Sequence, residues 1–128
     1  MQNYTVPRAG YAFFANKIPQ KSVLIAPNEL EAALLCEQLY KLSPSKKVHM
    51  FPAWDIQPYD RVSPNIRIMS ERISTLCNLD YADIIVTTAA ALKQKIPDPK
   101  YYKDASILIE SCKRIDRDKL VSKLLLIG

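Results

Sequence analysis

Apolar residues fall along this chain in two rhythms. Val23-Leu24-Ile25-Ala26 is a short continuous run with β-branched members, closed by Pro27. Such a run reads as a strand buried on both faces. From Asn28 the rhythm changes, and Leu35, Leu39 and Leu42 recur at helical spacing, giving one apolar face. Asn28 is the expected cap of that helix, and Glu31 completes a capping-box-like start. Residues 47–51 form a second strand candidate. A proline-rich connection follows over 52–64, with Pro52, Pro58 and Pro64 excluding a regular element. Ser63 as cap and Pro64 in the first turn then open a helix. Ile66, Met69, Ile73 and Leu76 mark its inward face, with Arg67 and Glu71 paired four apart on the other. The run 83–88, Asp-Ile-Ile-Val-Thr-Thr, is the clearest strand of all. A short helix over 89–95 is stopped by Pro97 and Pro99, another strand spans 106–110, and Asp116 caps a last helix whose Leu120, Leu124 and Ile127 face inward. Ahead of all these, 7–17 reads as a helix with Tyr11 and Phe14 inward.

Strands that are apolar on both faces, alternating with helices, predict an α/β fold with a parallel sheet covered by helices on both faces. A length of 128 residues suits a single domain over 1–128. The chain stops directly after an apolar helix end, so a truncated part of a larger multidomain protein is expected, with a strand edge or apolar face left uncovered.

Composition narrows the chemistry. The three cysteines, Cys36, Cys77 and Cys112, lie far apart, so neither a disulfide framework nor a zinc site is expected. The single histidine, His49, cannot build a zinc hydrolase site alone. The first residues lack the basic patch and apolar stretch of a signal peptide, which makes the cytoplasm the expected location. The net charge of +5 is uneven: residues 91–128 carry nine Lys/Arg against five Asp/Glu, whereas 1–90 are nearly balanced. Lys113, Arg114, Arg117 and Lys119 are therefore weak candidates for contact with nucleic-acid phosphates, or simply a solvated helix face.

An α/β sheet raises the question of nucleotide binding. A phosphate loop needs glycines for close backbone approach, followed by Lys and Ser/Thr. This chain has two glycines, Gly10 and Gly128, and neither glycine-rich motif. Glu110 at a strand end could suggest a magnesium-holding acid, but no phosphate loop accompanies it. No catalytic residue, metal ligand or cofactor site is expected. The unusual stretch is 51–65, which holds the only tryptophan, Trp54, with Asp55, Tyr59, Asp60 and Arg61. Asp55 and Asp60 could act as an acid–base pair, but aspartates beside turns more often cap backbone amides. Aromatics with arginine could stack on bases, yet residues 54–72 are neutral overall, a poor groove for phosphates. The stretch reads instead as a rigid connection that orients the next helix. In that reading Trp54 is a buried anchor, and Arg72 bonds to Asp55, Asp60 or the carbonyls of 54–60.

The same stretch carries a family resemblance. Pro52-Ala53-Trp54-Asp55, then Pro58-Tyr59-Asp60-Arg61-Val62-Ser63-Pro64, then Ser70-Glu71-Arg72-Ile73-Ser74-Thr75-Leu76 resembles the N-terminal domain of the bacterial transcription-repair coupling factors. Val23 to Asn28, Asp83 to Thr88 and Asp118-Lys119-Leu120-Val121 agree in order. The resemblance implies a degenerate helicase-like, RecA-like fold similar to the first domain of UvrB, without a working ATP site. It implies that Trp54, Asp55, Pro58, Tyr59, Asp60, Arg61, Ser63, Pro64 and Arg72 are a structural signature. It also implies a non-catalytic scaffold in DNA repair, with ATP and magnesium used only by a motor elsewhere in the parent. Expected partners are the rest of the parent chain, UvrA and RNA polymerase through neighbouring domains, and DNA weakly or through the parent. The alternatives are a helicase-like nucleotide-binding domain such as a fragment of UvrB, and a basic DNA-binding module over 91–128.

Overall fold

The computed structural model describes residues 5–57, 59, 61–107, 109–111 and 113–127, and their side chains except those of Pro99, Lys103, Leu126 and Ile127. The chain divides into two compact units, residues 1–96 and 97–128.

The first unit is built on three parallel strands, β1 (Ser22–Ala26), β2 (Val48–Phe51) and β3 (Ile84–Thr88), in the order β1-β3-β2. Helix α1 (Tyr11–Asn16) follows a 3-10 turn at Arg8–Gly10. Helices α2 (Glu29–Leu42), α3 (Ile66–Cys77) and α4 (Ala89–Lys93) complete the unit. The register pairs Leu24 with Val86 and Ala26 with Thr88 across one ladder, and Val48 with Ile84 and Met50 with Val86 across the other. Side chains alternate along a strand, so these residues share one face. That face packs on Ala32, Cys36 and Leu39 of α2 and on Ala12 and Ala15 of α1, forming the core. At the core, burial pushes the Cys36 thiol up to about 12, with the Glu71 carboxylate adding to the effect.

The helical rhythm located the helices of the first unit, but their inward faces shift. In α1 the small Ala12 and Ala15 are buried, while Tyr11 and Phe14 stay exposed, because the close approach of α1 to α2 leaves room only for methyl groups. Leu42 is likewise exposed at the end of α2. Asn65, not Ser63, caps α3, accepting the Arg67 N–H at 2.9 Å. Arg72, Thr75 and Leu76 are the buried residues of α3, and Ile66, Met69 and Ile73 are exposed. Helices on both faces of the sheet were expected. On the face opposite α2, however, Val23 and Ile25 of β1 remain 54% and 61% exposed.

The second unit contains α5 (Pro99–Ala105) and α6 (Arg117–Ile127). Pro99 opens a helix where the sequence suggested a stop: Asp98 accepts the Lys100 N–H at 2.8 Å, and proline tolerates the first helical turn. Residues 106–107 and 109–110 of the expected strand are not in a strand, and 108 lies outside the described residues. Asp116 does cap α6, but Leu124 and Leu125 are exposed and Leu120 only half-buried. No helix among the described residues is long and apolar enough to cross a membrane.

Candidate functional site

Parallel sheets place their ligand-facing loops at the C-terminal ends of the strands. Here those ends carry Pro27-Asn28-Glu29 after β1, Pro52-Ala53-Trp54 after β2 and Thr88 at the close of β3. Asn28 has extended backbone geometry, and its side chain accepts the Glu31 N–H at 2.9 Å, which starts α2 at the sheet's edge. Glu29, the next residue, is thereby aimed across the strand ends. Its Oε1 accepts the Thr88 hydroxyl at 2.8 Å and the Ala53 N–H at 3.0 Å, tying the ends of β1, β2 and β3 together.

Arg72 forms the second half of this closure. It is 2% exposed, and a buried guanidinium requires acceptors and stacking partners in place of water. Its Nη1 donates to the Pro52 carbonyl at 2.6 Å and to Gln94 Oε1 at 3.0 Å. The guanidinium carbon lies 4.2 Å from the Phe51 ring centre and 4.5 Å from that of Trp54. Gln94 Oε1 also accepts the Trp54 N–H at 3.0 Å. One cation thus fastens α3 to the end of β2, to the start of the proline-rich connection and to the residue that ends α4. Of the expected acceptors, Asp55 turns both carboxylate oxygens to the Asn65 N–H, each at 3.3 Å, and Asp60 lies outside the described residues; the Pro52 carbonyl lies just upstream of 54–60. Trp54 is partly buried, with Arg72 over its ring and an open groove along its border.

The remaining signature residues are dispersed around this closure. Tyr59, Arg61 and Ser63 are exposed, and Pro64 is half-buried beside Trp54 in the groove lining. Pro58 and Asp60 lie outside the described residues. In the second unit, Lys113 pairs with Glu110, and Arg114, Arg117 and Lys119 are exposed among Asp116 and Asp118. Sequence reasoning missed Glu29 and Gln94. Glu29 could have been suspected from its place directly after a helix cap; nothing in the sequence marks Gln94, which meets Arg72 only through the fold. Among the described residues no cluster of His, Cys, Asp and Glu could hold a metal ion.

No protein-family profile matches the chain. A transcription-repair-coupling factor of Rickettsia bellii (strain RML369-C) is 34% identical over 104 residues, which is 75% of this chain and 9% of that protein. One of Haemophilus influenzae is 34% identical over 101 residues, covering 77% of this chain and 9% of the relative. One of Rickettsia conorii is 29% identical over 124 residues, 89% of this chain and 11% of the relative. The chain spans about a tenth of the length of the curated relatives it matches.

Proposed function

The chain belongs to the transcription-repair-coupling factor family, and from that premise we propose that it is a non-catalytic interaction scaffold within such a factor. The parent would use ATP and magnesium in a motor elsewhere in its length to move along DNA, remove stalled RNA polymerase and bring in UvrA. This segment would supply a rigid α/β platform beside the surface that meets UvrA, in the cytoplasm, and would itself run no reaction.

The observation that carries the reading is the open side of β1. Only β3 pairs with β1 among the described residues, so one edge of β1 is free. Val23 and Ile25 are more than half exposed on one face of it. A parallel sheet is stable when both faces are covered, and an uncharged, β-branched edge is a template for another chain. Further segments of a coupling factor are the natural cover. The strand ends agree with a scaffold, because Arg72 and Oε1 of Glu29 are engaged by the protein's own backbone and side chains, while Glu29 Oε2 is buried with no hydrogen-bond partner among the described residues. The finer fold assignment, a degenerate helicase-like domain similar to the first domain of UvrB, belongs to the same proposal. Residues 8–17, where a phosphate loop would stand in a working relative, here form a 3-10 turn and a short helix, with the Arg8 side chain paired to Glu31. DNA contact by Lys113, Arg114, Arg117 and Lys119 would be weak and salt-sensitive, since acids interleave the cations.

Placing a charge on the open face tests the reading. Val23→Asp with Ile25→Asp is expected to shift the stability of the 128-residue chain by under about 1 kcal/mol, as for exposed sites. The same pair should lower the melting temperature and the UvrA recruitment of a full-length coupling factor carrying this segment. Equal, small effects in both contexts would remove the basis for a covered edge.

A further inference from the structure

Tyr59 presents an unexplained strain. Its backbone has φ 78°, a left-handed conformation that side chains other than glycine rarely adopt, and its ring is fully exposed. A strained backbone persists where the surroundings impose it or where function uses it. No burial of this ring offsets it. The ring stands at the rim of an open groove of about 560 Å³, with Trp54, Ile56 and Pro64 on the connection side. The opposite wall is Lys93-Gln94-Lys95, from the end of α4.

This arrangement changes the electrostatics of the connection. Residues 54–72 are neutral on their own, but the fold brings two lysines from some 30 residues further along the chain to their side. Lys93 and Lys95 are exposed, and neither has a hydrogen bond or ion pair to another described residue. Gln94 between them is committed to Arg72 and to the Trp54 N–H. The apolar wall is therefore held in place by the buried Arg72 network, while the two flanking cations stay available. Preformed walls of this kind lower the ordering cost of binding. Tyrosine and tryptophan are the residues most often found to dominate binding energy at protein interfaces.

We propose that this groove docks an acidic segment of a partner protein, which places a large apolar side chain against Trp54, Ile56 and Tyr59 and its carboxylates against Lys93 and Lys95. A protein segment fits better than a nucleic acid. Two cations neutralise too few phosphates for useful affinity, and most of the groove is apolar. The site is independent of the β1 edge and of whatever covers that edge.

Fluorescence anisotropy of the 128-residue chain with three labelled probes tests the proposal. They are a short peptide alternating Asp or Glu with Leu and Phe, the same peptide with Lys in place of the acids, and an oligothymidylate. The acidic peptide should bind saturably and the lysine peptide should not. Tyr59→Ala should weaken the acidic peptide at least about tenfold. The double change Lys93→Glu with Lys95→Glu should reverse the preference toward the lysine peptide. Both variants alter exposed side chains, so circular dichroism should show wild-type folding and melting; a third variant, Tyr59→Gly, should melt slightly higher as the strain is relieved. Oligothymidylate binding as tight as the peptide's, absence of saturable peptide binding, or equal peptide affinity in Tyr59→Ala would each overturn it.

Discussion

Arg72 is the residue on which the candidate site turns. Apolar neighbours in sequence would let a long cation either reach solvent or find acceptors. The fold takes the second course, enclosing it between Phe51, Trp54, Pro52 and Gln94. That an arginine at this position needs a partner was legible in the sequence; that the partner includes Gln94 was not, because the contact joins residues 22 apart through tertiary packing. Replacing it by alanine takes the guanidinium donor from the buried Pro52 carbonyl and empties the space over two rings. Arg72→Ala should destabilise the chain by about 3 kcal/mol, and Arg72→Lys should recover only part, since an ammonium cannot reproduce the planar stack. Urea unfolding measures both. A loss under about 1 kcal/mol for the alanine variant would contradict the enclosed geometry. Cys36 gives a second residue-scale test. Its thiol is raised from 9.0 to about 12 by burial first and by Glu71 second. The unfolded chain releases this proton as pH climbs past 9.0 while the folded chain holds it, so folding stability is intact below that pH and falls above it. The expected slope is at most about 1.4 kcal/mol per pH unit in that window. Cys36→Ala should flatten the alkaline limb of a plot of stability against pH; an unchanged limb would show that the thiol ionises as freely folded as unfolded.

At the scale of elements, rhythm identifies what repeats and misses what depends on neighbours. The three strands of the sheet and the helices α2 and α3 follow directly from apolar runs and helical spacing. The inward face of α3 does not. Ile66, Met69 and Ile73 have the spacing of a core stripe, yet the helix is seated through Arg72, Thr75 and Leu76, with the Thr75 hydroxyl donating to the Met50 carbonyl at 2.6 Å. Polar residues win there because the adjacent end of β2 offers carbonyl groups that need donors. Small residues in α1 win over aromatic ones for a steric reason. The apolar run near Ile109 fails as a strand because a strand is a pairing and not a property of one segment, and the proline at 99 opens a helix because Asp98 stands ready to cap it. Tyr59 illustrates the limit most sharply: its left-handed backbone and its lysine neighbours across the groove depend on the folded path of the connection.

At the scale of the whole molecule, the sheet is met by α3 on its β2 side, where the Thr75 hydroxyl donates to the Met50 carbonyl, and is open along β1 among the described residues. The apolar pattern of β1 was legible as that of a strand buried on both faces, yet Val23 and Ile25 on one of its faces are more than half exposed; the chain spans about a tenth of its relatives' length. The Ser22 N–H bonds to the Asp83 carbonyl at 3.0 Å, so by strand alternation the Val23 and Ile25 amides point to the free edge. Amide hydrogen exchange at these two residues is the most direct measurement of the central claim. In the 128-residue chain both amides should exchange at nearly the rate of exposed backbone, while Leu24 is protected by its pairing with β3. In a full-length coupling factor carrying this segment, Val23 and Ile25 should be slowed by orders of magnitude, to the level of Leu24. Equal, fast exchange in both proteins would contradict the account, because the edge would then be open in the assembled factor and the segment would not be a docked scaffold.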